Sequence, residues 1–96
     1  MAVAGDVYQL GVTATAQNAY LALQPGAGNE IVVHNIVHSI DAQLEWFDGS
    51  TGIAVDVVTG AGAWQGFFHC TNTKYYRVKN TNVASNNIAA DGMYTK

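Results

Sequence analysis

Three histidines, one cysteine and a few serines are the side chains with the most chemistry to offer, and their spacing limits what each could do. His34 and His38 are four residues apart. On a helix that spacing would set both imidazoles on one face, where they could share a zinc ion. Their setting, Ile31-Val32-Val33-His34-Asn35-Ile36-Val37-His38, is rich in β-branched residues and reads as a strand. Four residues of strand cover about 13 Å, too far for one metal to take both nitrogens. His69 could bring a third nitrogen from elsewhere, but nothing in its spacing requires it, and we expect no metal site. Cys70 follows His69 directly and resembles a nucleophile beside its base. Adjacent strand residues point to opposite faces, so the two cannot exchange a proton. Cys70 shares a face with Phe68 and suits a small buried apolar role. Ser39, Ser50 and Ser85 lack the strand-to-helix glycine elbow of a serine hydrolase. The sequence therefore predicts a protein without catalytic residues.

Loops that could hold a ligand fare similarly. Gly60-Ala61-Gly62-Ala63-Trp64-Gln65-Gly66 has the glycines of a phosphate loop, but no lysine, and a strand pattern follows it where a helix is needed. Asp48-Gly49-Ser50-Thr51-Gly52 has too few acidic ligands for calcium and reads as a turn. No cofactor is expected. Lys74, Arg77 and Lys79 are three of only four cations, and alternation puts Tyr75, Arg77 and Lys79 on one face. An aromatic beside two cations could stack on nucleic acid, but a net charge of −3 argues against that partner.

The elements that must position these residues are strands. Val supplies 11 residues, and threonines and aromatics run throughout. The pattern predicts strands at 7–13, 20–24, 30–40, 43–48, 53–58, 67–71 and 75–80. The polar tail, with Val83, Ile88, Met93 and Tyr94, suggests one or two more. Turn signals fall at Pro25-Gly26, Asp48-Gly49, Thr59–Gly62 and Asn72–Lys74, the last read as a hairpin connection. Short strands at roughly ten-residue spacing describe a single all-β domain over residues 1–96. It would be a β-sandwich or small barrel of about 7–8 mostly antiparallel strands. Of the apolar residues, 32 are larger than alanine or cysteine, enough for one core. One cysteine allows no internal disulfide. The longest run of large aliphatics, Ile31-Val32-Val33, is far short of the ~20 residues of a membrane span. The first six residues lack the basic and apolar regions of a signal peptide, so folding in a reducing cytoplasm is expected.

Charge is the unusual quantity. Only 11% of residues are charged, against about 25% in ordinary soluble proteins. Amides and hydroxyls would solvate such a surface, or copies of the chain would cover part of it. Leu44 and Trp46 share a strand face and are expected in the core. Ile53, Val55 and Val57 share another. Trp64, in a glycine-rich connection, could fold back as a lid over the sandwich, stack on a sugar, or anchor an interface. The residues expected to contact a partner or a second copy are Trp64, Phe67, Tyr75, Arg77 and Lys79. As surface anchors, Trp64 and Arg77 would tolerate alanine without loss of fold.

Glu45-Trp46-Phe47-Asp48-Gly49, Gly60-Ala61-Gly62, Phe68-His69-Cys70-Thr71-Asn72-Thr73, Tyr75-Tyr76-Arg77-Val78-Lys79-Asn80-Thr81 and Asp91-Gly92 together form a further pattern. Across 30–96 it resembles the small all-β virion proteins of tailed bacteriophages. The resemblance implies a capsid decoration (cement) protein, made in the host cytoplasm and sited on the capsid surface. It would clamp the major capsid protein and assemble as a homo-oligomer, commonly a trimer. A head–tail connector or tail component is the near alternative. A carbohydrate-binding module, also a small aromatic-bearing β-sandwich, is the alternative from another class.

Overall fold

The structure, a computed structural model, describes residues 2–96. Its strands are β1 (Val7–Thr15), β2 (Tyr20–Ala22), β3 (Glu30–His38), β4 (Ala42–Phe47), β5 (Gly52–Val58), β6 (Gly62–Thr71), β7 (Tyr75–Asn80) and β8 (Asn86–Tyr94). They form two four-stranded antiparallel sheets, ordered β1-β8-β3-β6 and β2-β7-β4-β5. The architecture is a β-sandwich. Only β4 and β5 form a hairpin within one sheet; every other connection between successive strands crosses to the facing sheet. That order is the double Greek key of an eight-stranded jelly roll.

The strands lie close to where the pattern puts them, with three differences. β6 begins at Gly62, so the glycine-rich segment is strand rather than turn. Glycine weakens a strand's local signal without forbidding the ladder. Residues 72–74 do not close a hairpin, because β6 and β7 belong to opposite sheets and the segment arches between them. The tail contributes one long strand, β8, that pairs on both edges with β1 and β3.

Alternation builds the core. Ile31, Val33 and Ile36 of β3, Ile88 and Ala90 of β8, and Cys70 of β6 face Ala42 and Leu44 of β4 and Val78 of β7. The step from Val33 to Ile36 is three residues, not two. A bulge at this point shifts the register of β3 against both neighbours and puts His34 and Asn35 outside. Gly92 of β8 lies opposite Val33. A Cβ there would collide with the Val32 carbonyl and come within 2.7 Å of Val33 Cα.

Amides brace the ends of the sandwich, which accounts for part of the asparagine content. Asn86 is fully buried, and its Oδ1 accepts from Ser39 N at 3.1 Å and Ile40 N at 3.3 Å. Its Nδ2 donates to the Ile40 and Asp41 carbonyls. Asn80, equally buried, ties Thr15 and Ala84 through Nδ2 donations of 2.8 Å each. The β4–β5 turn is closed by Asp48 Oδ1, which accepts from Thr51 N and Ser50 N. These two N–H groups hold the Asp48 carboxyl below its ordinary value.

Candidate contact surfaces

The five residues expected at an interface do not form one patch. Phe67 lies on the outer face of the β1-β8-β3-β6 sheet. Tyr75, Arg77 and Lys79 share the outer face of the other sheet, as alternation required. Trp64 points inward between the two.

Trp64 is 9% exposed, packs its ring on His38 at 4.7 Å between centroids, and donates from Nε1 to Asp56 Oδ2 at 2.7 Å. This bond crosses from β6 to β5 and laces the two sheets together along their open side. The ring has little surface left for a partner, so Trp64 is removed from the contact set. Its inward direction follows from β6 starting at Gly62, which makes Gly62, Trp64, Gly66, Phe68 and Cys70 one facing series. Trp46 differs the other way. It faces the same side as Leu44, yet it is only partly buried and packs against Tyr76, the ring centroids 4.9 Å apart and the planes tilted by 59°. Its cross-strand neighbour Ile53 is 62% exposed, because β5 is the sheet edge.

Arg77 is built into the outer face of β7 rather than displayed on it. Its Nε and Nη2 donate to Glu45 Oε1 at 3.1 and 3.0 Å, and Gln43 Nε2 donates to Glu45 Oε2 at 2.9 Å. The guanidinium carbon lies 3.8 Å from the Tyr20 ring centroid and 4.0 Å from that of Phe47. Cross-strand register explains the cluster: Glu45 opposes Arg77, Phe47 opposes Tyr75, and Tyr20 opposes Lys79. Gly52 completes it, since a Cβ there would overlap Glu45 Oε1 and approach Arg77 Nη2 to 2.9 Å. The Arg77 charge is thus neutralised within the chain. What remains outward is aromatic and cationic: Tyr20, 40% exposed, the Phe47–Tyr75 pair at 5.5 Å, and Lys79. Tyr20 and Phe47 were not foreseen as part of this face, because only the pairing of β2 and β4 with β7 brings them there.

Phe67 is 79% exposed and rests edge-on against His34 at 5.6 Å. On the same sheet face, the bulge between Leu10 and Thr13 of β1 and the small Ala89 of β8 leave a groove of about 320 Å³. Val12 and Val37 line it together with Gln9, Asn35 and Asp91, and Asn35 Nδ2 donates to Asp91 Oδ1 at 2.8 Å.

The most apolar exposed element is β5. Ile53, Val55 and Val57 are 62%, 54% and 63% exposed. They do not share a face. A register shift between Leu44 and Glu45 leaves Val55 unpaired, turns Ile53 to the Trp46 side and Val57 to the Gln43 side, and aims Asp56 inward at Trp64. The sequence shows three alternating β-branched residues. Only the topology reveals that they lie on an edge.

Each side chain with chemistry to offer has a structural place. His38 is buried, with Nδ1 donating to the Ile40 carbonyl at 2.7 Å and Nε2 unpartnered beside Gly62. His34 and His69 lie on the outer face. The Cys70 thiol is 1% exposed, accepts from Tyr76 N, and is pushed up to about 11 by burial. In comparison with known proteins, no family model matches the chain and no curated protein matches its sequence.

Proposed function

We propose that the chain is a non-enzymatic structural protein that acts by protein–protein contact, as a capsid decoration (cement) protein of a tailed bacteriophage head. The observation that carries this reading is β5: an open sheet edge with three β-branched residues more than half exposed. Folded proteins commonly blunt such edges with lysine, proline, a bulge, an inward-pointing charge or a short strand. Here β5 is seven residues long and carries neither Lys nor Pro; the bulge at Val55 and the inward Asp56 interrupt it at its middle only, and Ile53, Val55 and Val57 stay exposed along it. An edge of this kind suits strand addition from a neighbouring subunit, where backbone bonds give affinity and the flanking apolar side chains add burial. The jelly roll supports the reading by analogy, since viral capsid domains use it.

The mechanism is mass action. A subunit that binds only the assembled lattice stabilises it, because its binding free energy must be overcome before the lattice opens. Its partners are the major capsid protein and other copies of itself. Counting copies by quantitative mass spectrometry of purified particles tests the proposal. A copy number comparable to the coat protein supports a cement, and one near a single ring moves the chain to the connector or tail. Absence from particles overturns the virion reading. Val55→Lys should abolish particle binding without loss of fold.

One observation favours the carbohydrate-binding alternative. Tyr20, Phe47 and Tyr75 present aromatic surface beside Lys79, and lectin domains also use the jelly roll. Retardation in polysaccharide gels, lost on Tyr20→Ala, would put that reading first.

A further inference from the structure

We propose that the outer face of the β1-β8-β3-β6 sheet is a self-complementary interface, on which two copies of this chain pair about a two-fold axis. Phe67 of each copy would enter the groove beside Ala89 of the other. The inference rests on the assembly reading for its use, but stands on separate residues from the β5 edge.

A knob and a hole share this face. Phe67 is the knob: 79% exposed, supported only at its edge by His34. An aromatic this exposed, at the point where β6 and β3 shift register, has no role in its own core, and aromatics are the residues that anchor interfaces. The hole is the groove of about 320 Å³ over β8. That volume is at the small end of ligand sites and suits one inserted side chain better than an extended ligand. Its walls are mainly apolar, from Val12, Val37 and Ala89, so a phenyl ring is matched in chemistry as well as in size.

Placement selects a second copy as the occupant. β6 and β8 flank β3, with Phe67 level with His34 and Ala89 paired to Val37, so knob and groove lie two strand spacings across and three residues along, roughly 14 Å apart. A two-fold axis lying in the interface, over β3 near Asn35, exchanges the two positions, so both knobs fill both grooves in one closed contact. A knob and hole on different faces would build an open filament instead. The polar groups agree with this pairing. His34 and His69 flank the knob and offer ring N–H donors, whereas Asp91 on the groove rim uses Oδ1 for Asn35 and leaves Oδ2 for a donor from outside. The same axis brings the donors of one copy toward the carboxylate of the other. The result is a pair rather than the trimer that the phage resemblance implies.

Sedimentation equilibrium over a concentration series tests the pairing, with thermal melts as the control for folding. Wild type should reach a dimer. Phe67→Ala, which empties the knob, and Ala89→Phe, which fills the hole, should each raise the dimer dissociation constant about 30-fold or more, as for a central aromatic anchor. Both side chains point outward, so melts taken at dilutions where every protein is monomeric should stay near wild type. A short bis-maleimide should join a Phe67→Cys chain to an Ala89→Cys chain when the two are mixed, and join neither variant to itself; Cys70, buried, stays unlabelled. A monomer at every concentration, a dimer indifferent to both substitutions, or cross-linking of Phe67→Cys to itself would each overturn the pairing. A monomer that is nonetheless counted on particles refutes the pair and leaves the cement reading standing. A dimer missing from particles does the reverse.

Discussion

Replacing Arg77 with alanine should unfold the protein far more readily than an exposed arginine on a sheet face would suggest. The guanidinium makes two charge-assisted bonds to Glu45, whose side chain is 7% exposed, while the arginine side chain is 19% exposed. Removal leaves a carboxylate that water hardly reaches, with one amide donor from Gln43. Breaking a buried pair by deleting one partner costs about 3–5 kcal/mol, because the remaining charge is uncompensated. Lost contact with the Tyr20 and Phe47 rings adds about 0.5–1 kcal/mol for each partly exposed cation–π face. Taking the lower end of each for a pair at the sheet surface gives about 4 kcal/mol. For a domain of this size each kcal/mol moves the melting temperature by roughly 4–8 °C, so the melt should fall by about 16–32 °C.

The reverse deletion discriminates the cause. In Glu45→Gln the guanidinium keeps both aromatic faces and its solvent access, and an amide oxygen still accepts, so the cost should be about 1–2 kcal/mol. The double variant Arg77→Met with Glu45→Leu replaces the pair by apolar side chains and should recover most of the loss. Urea melts of the four proteins at constant slope are the assay. If Arg77→Ala costs under about 1 kcal/mol, or Glu45→Gln costs as much as Arg77→Ala, the buried-carboxylate argument is wrong. Arg77 would then be available to a partner after all.

The two tryptophans should rank oppositely to their sequence reading: Trp64→Ala should cost about 3–5 kcal/mol in chemical denaturation and Trp46→Ala distinctly less, since only the first ring is buried. Asn86→Ala should cost about 1–3 kcal/mol by the same assay, because Ile40 N at the β3–β4 corner loses its acceptor, while Ser39 N keeps the Asn87 carbonyl and the Ile40 carbonyl keeps His38 Nδ1. Gly92→Ala should prevent accumulation of folded protein in a solubility assay, since the clash is with backbone that has nowhere to move. Thermal melts against pH should fall on the alkaline side. Burial, chiefly, pushes Cys70 up to about 11 and Tyr8 up to about 12, so both groups ionise first in the unfolded chain, and stability present below pH ~9 is lost through those values. Tyr8→Phe should flatten the decline, and a decline unchanged by it would remove Tyr8 from the account.

Sheet content and strand limits were legible because β-branched runs and turn residues carry their own local signal, as in Tyr75–Asn80, where pattern and strand coincide. Facing was legible wherever the ladder is regular. Tyr75, Arg77 and Lys79 share a side because β4 and β7 pair without a break from Ala42 to Phe47. Facing failed at bulges. One extra residue at Val55 sends Ile53 and Val57 to opposite sides, and a two-residue period has no means of showing it. Depth failed at edges, because Trp46 and Leu44 carry the same alternation while only Leu44 has the facing sheet above it. The contact surfaces were the least legible part. Trp64 had a glycine-rich context that resembles a loop, and its burial depends on His38 and Asp56, 26 and 8 residues away in sequence.

A small charge complement has a consequence for how such a chain can remain a soluble monomer. Two of its four cations already have carboxylate partners, Arg77 with Glu45 and Lys96 with Glu30. Lys74 sits in the β6–β7 arch and Lys79 on the outer face of β7, so neither guards the β5 edge or the Phe67 face. Repulsion between copies is therefore weak where apolar exposure is greatest, and such surfaces ordinarily mark contact sites. The two surfaces differ in what covers them: β5 offers unpaired backbone and so a strand, whereas the Phe67 face offers a shaped groove and so a side chain. Val55→Lys and Phe67→Ala should accordingly act independently in a double variant, their effects on assembly adding, because the sites lie on opposite sheets and share no residue. Coupled effects would mean that one surface serves both contacts, and the division into an edge for the lattice and a face for a second copy would collapse.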